Sequence, residues 1–431
     1  MYEQEIGQLA TEIRHAVVKY KETNPNASRR LVRVRRRDFT LKYREDIGFA
    51  NFPQERIEED IWDWRDHERF QGSVVKVLEE YKSLISVLGP EKTGALERFA
   101  RDVSFTSFQG LDDKEITERV NAFGRELESQ PLPVTVTAFI DGLSIYESPF
   151  LISDRFLLRR PTPEDLAEYI VLDEHGGFSF PLGDTWFRVV SELIIDAVYT
   201  GSAQMEFLRT LEALRLFRLG GIATNRYTMR SRHSFAGGTS GGGGRYSRYN
   251  YELASCDSAP LNSFLRDLVP RFPDTSHPDK TTAEVEIAYA RYKEALFQGG
   301  LAEQEITSAI TALEALFLTG GQELTHRLAQ RVSVFLRVLG TQTDAGSTYS
   351  NVTKGYKIRS KFIHGDSLKP KDRPQADSLA RVLLEYAREC VLAFFQLTTK
   401  KDDLLRQLDR AMIEPTAVGY LSASLKTVVH K

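Results

Sequence analysis

Paired glycines close a series of apolar stripes in the last third of the chain, and this pattern constrains the fold more than any other feature. "TTAEVEIAYARYKEALFQGG" opens with a Thr-x-x-Glu capping box at Thr281 and Glu284 and closes at Gly299-Gly300. "LAEQEITSAITALEALFLTGG" places Ile306, Ile310, Leu313, Leu316 and Phe317 on one stripe, and "QELTHRLAQRVSVFLRVLG" does the same with Leu324, Leu328, Val332, Phe335 and Leu336. A fourth helix is expected to end in "YKIRSKFIHGD", and a fifth to cover "RPQADSLARVLLEYARECVLAFFQLTT". Helices of this length on short connections predict an all-α antiparallel bundle over 278–412, with 413–431 left as a C-terminal tail.

Residues 1–277 have a different texture, a mixed α/β region with a change of character near 130. Ile6, Leu9, Ile13, Ala16, Val17 and Tyr20 keep one helical face, and Ile57, Ile61, Trp64, Phe70, Val74, Val77, Leu78 and Tyr81 predict another helix over 54–88. Shorter helices are expected near 91–102 and 113–129. "RRLVRVRRRDFTLKYR" between the first two alternates like a strand. After 130, "LPVTVTAFIDGLSIY" and "FLISDRFLLRR" read as strands broken by Asp-Gly and Ser-Pro, and "TWFRVVSELIIDAVYT" as a strand pair or one long strand. "SAQMEFLRTLEALRLFRLGG" returns to a helix. The fold class is therefore α+β.

A formal charge of −3 gives no global pull toward nucleic acid or membrane, so such binding has to come from a local patch. No apolar run approaches the roughly 20 residues of a membrane-spanning helix, and "MYEQEIGQLATEIRH" carries acids where a secretion signal carries bases. The two cysteines, Cys256 and Cys390, lack ligand-spaced neighbours, which argues for a reducing cytoplasm and against a zinc site. No metal and no cofactor is implied.

"RSRHSFAGGTSGGGGRYSRYN" at 230–250 is the low-complexity stretch. Its glycines predict a loop. Arg230, Arg232, Arg245 and Arg248, with Tyr246 and Tyr249 interleaved, also suit contact with RNA bases and backbone. It is not a phosphate-cradling loop, because the lysine and Ser/Thr that must follow such glycines are missing, and no strand feeds a dinucleotide fingerprint here.

A helical bundle carrying "ALEALF" on one helix, "HRLAQRVSVFL" on the next and "YKIRSKFIHG" on a later one resembles the ApeA-like branch of the HEPN superfamily over about 280–400. The resemblance implies a metal-independent endoribonuclease whose arginine–histidine motif is completed across a homodimer, serving phage defence or acting as a toxin. It assigns Arg359 and His364 as the catalytic pair, with Ser360 standing where many such nucleases have Asn, Asp or His. A second arginine–histidine pair, Arg226 and His233, has no bundle around it. Glu314, Tyr356 and Arg331 are candidate supporting residues, the last with His326 as a phosphate contact.

These residue types suit the chemistry. A histidine moves protons near neutral pH, while an arginine fork grips two phosphate oxygens as charge builds on them. Cleavage by the 2′-hydroxyl leaves a 2′,3′-cyclic phosphate and a 5′-hydroxyl. Positions 359 and 364 lie about 140° apart around a helix, so convergence needs the reach of a long arginine, a distorted helix end or a symmetry mate. A second reading stays open: a catalytically silent bundle that dimerises, with RNA or protein bound by the N-terminal region. RNA, with tRNA as one candidate, and a phage-derived or cellular activator are the expected partners. Arg33, Arg35 and Arg37 in the basic strand fit an RNA path or a charged sheet edge equally well, and Arg245 and Arg248 fit the first of these.

Overall fold

The computed structural model describes residues 3–23, 30–35, 39–42, 49–52, 56–61, 113–128, 131–161, 189–197, 200–231, 235–238, 248–272, 283–297, 301–320, 323–342, 344–366, 368–397 and 399–425, with single positions between 81 and 107. The chain is α+β, and its contacts divide it into two compact units. The first holds 1–139, 159–207 and 226–239, and the second holds 140–158, 208–225 and 240–431.

In the first unit, α1 (Glu3–Thr23) packs on α2 (Asp113–Leu127). Ile6, Leu9, Ile13 and Val17, the expected face of α1, are buried with Ile116, Val120 and Phe123, and Phe123 stacks on Phe99 at 4.3 Å. Strand β1 (Arg30–Arg35) pairs antiparallel with β4 (Arg56–Ile61), and β2 (Phe39–Lys42) with β3 (Phe49–Phe52). The helix expected from residue 54 therefore does not begin there. Ile57 and Ile61 are four apart, a spacing that one face of a strand satisfies as well as a helix, and the register sets Glu58 opposite Arg33.

The larger sheet contributes β5 (Leu132–Asp141), β9 (Val189–Ala197), β10 (Ala223–Ser231) and β11 (Phe235–Gly238) in the order β11-β10-β5-β9. β9 is one strand, settling that ambiguity. Pairing of Tyr227 with Gly238 and Arg230 with Phe235 carries β-structure into the glycine-rich stretch, whose residues 239–247 lie outside the described residues.

The second unit contains β6 (Leu143–Ile145), which pairs in parallel with β12 (Tyr251–Leu253), and the hairpin of β7 (Phe150–Ser153) and β8 (Phe156–Arg159), with β7 packed on α4 (Ser258–Leu268). Gly142 turns the chain at φ +78°, and a Cβ there would collide with the carbonyl oxygen of Gly221. Helix α3 (Thr200–Phe217) ends in this unit, and its last carbonyls, without helical partners of their own, accept from side chains far away in sequence. Tyr251 donates to the Leu214 oxygen at 2.8 Å, Tyr292 to Arg215 at 3.0 Å and Arg388 to Leu216 at 2.7 Å. These bonds bind 208–225 to the later helices.

Seven α-helices follow among the described residues: α5 (Ala283–Phe297), α6 (Ala302–Phe317), α7 (Leu324–Leu339), α8 (Ala345–Ile363), α9 (Arg373–Phe394), α10 (Lys401–Ala411) and α11 (Pro415–Leu425). Thr281 of the expected capping box lies outside the described residues. α6 is buried on nearly every side because it packs against α5, α7, α8, α9 and α10, and Glu303, Glu305 and Ser308 are buried with its apolar residues. Phe317, Phe335 and Phe394 meet at centroid separations of 5.2 to 5.4 Å and join α6, α7 and α9. The segment expected as a tail carries α11, whose Ala417, Leu421 and Leu425 are buried. Among the described residues no helix is long and apolar enough to cross a membrane.

Candidate functional site

Helix α8 is built to hold its two ends. Asp344 caps the start, its carboxylate accepting from the amides of Gly346 at 2.9 Å and Ser347 at 3.2 Å. Bonding to Ser347 holds that carboxyl below its ordinary pKa. Near the other end Gly355 lies against α6 and α9: a Cβ there would come within 2.5 Å of Leu383 and 3.1 Å of Ile310. That close approach lets the next turn of α8 reach α6.

Arg359 is on that turn. Its Nη2 pairs with Glu314 Oε2 at 2.9 Å, and the two side chains are 21% and 17% exposed. Nε reaches Thr311 Oγ1 at 3.4 Å, and the guanidinium lies 5.6 Å from the Tyr356 ring centroid. Tyr356 also hydrogen-bonds Glu314. Burial pushes the Glu314 carboxyl above its ordinary pKa, and Arg359 and Tyr356 only partly offset this. Glu314 is thus an inward residue that orients Arg359.

His364 ends the helix. The amide of Gly365 donates to the Phe362 carbonyl at 3.0 Å and that of Asp366 to Lys361 at 3.0 Å, and Gly365 has φ +90°. This is the Schellman arrangement, in which the glycine takes the left-handed position and the preceding residue is the cap. The His364 ring is exposed and has no hydrogen-bond partner among the described residues. Ser360 is half-buried, and its carbonyl accepts from the His364 amide at 3.2 Å. Arg359 turns to α6 while His364 stands in solvent, so this single chain holds Arg359, Glu314, Tyr356 and Thr311 together and leaves His364 apart.

The other candidates are elsewhere. Arg331 is 3% exposed, forks onto Asp409 at 2.7 and 2.6 Å, and donates to the Phe317 carbonyl at 2.7 Å, a clamp between α7 and α10 with no face toward solvent. His326 shares a 2.8 Å hydrogen bond with Tyr349, joining α7 to α8. Arg248 is bound to Glu305 of α6 and Asp377 of α9, with Tyr249 donating to the same Glu305 at 2.6 Å. Its charge is already paired. Arg33 and Arg35 lie on β1 and their side chains are outside the described residues, as are Arg37 and Arg245 altogether. Arg226 of the second arginine–histidine pair is in β10, and His233 is outside the described residues. Among the described residues no three His, Cys, Asp or Glu side chains gather as a metal site.

Thr311 was not singled out from the sequence; its spacing of three from Glu314, on the same helix face, was the available signal. Comparison with protein-family models, with curated proteins and with solved structures returns no match for this chain.

Proposed function

We propose that the chain is a metal-independent endoribonuclease of HEPN type. The observation that carries this reading is the final turn of α8: an arginine oriented from inside the unit by Glu314 and Tyr356, followed by a capping histidine whose ring is free in solvent. His364 takes the proton of a ribose 2′-hydroxyl or gives one to the leaving 5′-oxygen. The 2′-oxygen attacks phosphorus, the bond to the 5′-oxygen breaks, and Arg359 steadies the negative charge that builds between the two events. The two groups point different ways in one chain. A two-fold homodimer would bring a histidine from one copy to an arginine of the other. Phage defence or a toxin role, an activator that releases the activity, and a cytoplasmic setting belong to this same reading.

The test is cleavage of total cellular RNA and of a tRNA pool in EDTA by wild type, His364→Ala and Arg359→Lys. Fragments ending in cyclic phosphate from wild type alone support the nuclease. The runner-up is a catalytically silent dimerising bundle, favoured by one observation: Glu314 already neutralises Arg359. Intact RNA in all three reactions, with equal growth of cells expressing each protein, decides for it.

A further inference from the structure

The outward face of α8 carries three lysines, Lys354, Lys357 and Lys361, at helical spacings of three and four. All three are exposed, and none has an ion-pair partner among the described residues. The sequence of α8 contains no Asp or Glu. Its fourth cation, Arg359, is the one turned inward and the one that is paired. His364 is seven residues beyond Lys357, two helical turns along nearly the same line. Lys369 and Lys371 continue the exposed positive charge past the helix end, with Asp366 exposed and Asp372 half-buried beside them.

Two ordinary explanations for such a stripe fail here. Cations are favoured in the last turn of a helix, but that effect fades within a turn and does not reach Lys354. A solvent-facing helix usually mixes signs, as this chain does where Arg406 bonds Asp403 and Arg410 bonds Glu414. A row of unpaired like charges is unfavourable by itself and becomes favourable against a polyanion. From Lys354 to Lys361 the helix rises about 10 Å, a length over which one nucleic-acid strand carries about three phosphates.

We propose that the outward face of α8 is a phosphate track that leads single-stranded RNA to His364. The lysines read backbone charge, not sequence, and position the strand so that a ribose and its phosphate arrive at the imidazole. The proposal rests on the nuclease reading for its purpose, but binding is measured without cleavage.

The probe is a short fluorescent oligouridylate, titrated by anisotropy into full-length His364→Ala protein at several salt concentrations. The second protein adds Lys354→Gln, Lys357→Gln and Lys361→Gln, and the third adds Lys19→Gln, Lys114→Gln and Lys400→Gln, exposed lysines elsewhere that remove the same net charge. The track variant should bind at least tenfold more weakly at low salt, with the slope of log K against log salt reduced by about 2, whereas the control keeps both. Equal binding by the track variant and its parent overturns the proposal. So does retention of the parent by phosphatidylserine vesicles without binding of the oligonucleotide. Loss of binding in the track variant, together with a wild type that never cuts RNA, sustains the track and removes the nuclease.

Discussion

Arg359 on α8 and Glu314 on α6 stand 2.9 Å apart as an ion pair, yet the carboxyl of that pair is harder to ionise than a free one. Burial outweighs the attraction of the guanidinium. The folded state therefore holds the Glu314 proton more tightly than the unfolded chain. Its contribution to stability is largest below the unfolded value of 4.5 and is lost as pH rises through the raised folded value. Glu314→Gln should flatten that dependence and cost less than about 1 kcal/mol at pH 7, read by urea unfolding across pH. Arg359→Ala leaves the carboxylate half-supported and should cost about 1–3 kcal/mol. A larger loss from Glu314→Gln than from Arg359→Ala would reverse this order.

Gly365 carries the turn that makes His364 the cap. Gly365→Ala forces a left-handed residue with a side chain and should cost about 1 kcal/mol, with faster amide exchange confined to the last turn of α8. An unchanged protection pattern would show that the glycine does not hold the turn.

Asp409 is half-exposed, but the guanidinium it faces on Arg331 is buried. Asp409→Ala strands that charge and should lose about 3 kcal/mol, seen as a lower urea midpoint with the same slope. Asp409→Asn keeps an acceptor and should lose less. Equal losses would mean that a neutral acceptor contributes nothing and that the charge alone holds the clamp.

At Gly355 helix propensity and packing disagree, since most residues favour a helix more than glycine does and here there is no room for one. Gly355→Val should destabilise by about 1–3 kcal/mol and displace α8 from α6. Crystallography of the variant checks the second effect: an Arg359–Glu314 pair still at its present separation would disconnect the crossing from the site.

Where one period dominates, the sequence is legible. The stripe through Ile306, Ile310, Leu313 and Phe317 predicts α6 nearly to its ends, and Gly340 and Gly365 stop α7 and α8 in left-handed conformations. β4 was not legible, because Ile57 and Ile61 satisfy a strand and a helix together. Nor was the makeup of the second unit. Tyr251, Tyr292 and Arg388 are distant in sequence and converge only because the end of α3 needs donors. At the site, Arg359, His364, Glu314 and Tyr356 stood out as residue types, but the pairing of Arg359 with Glu314 depends on how α8 crosses α6, which no local pattern records. The lysine stripe of α8 was readable in "TKGYKIRSK" all along, as an absence of acids.

The central place of α6 separates two clocks. Its amides are shielded by five neighbouring helices and open only when much of the unit opens, whereas the last turn of α8 can fray by itself. Glu314 therefore fixes Arg359 to the most enclosed helix of the unit, whereas His364 sits at an exposed helix end. Under the proposed nuclease reading, an arginine set in advance would lose little entropy on meeting a phosphate, and the exposed histidine would adjust to the strand it meets.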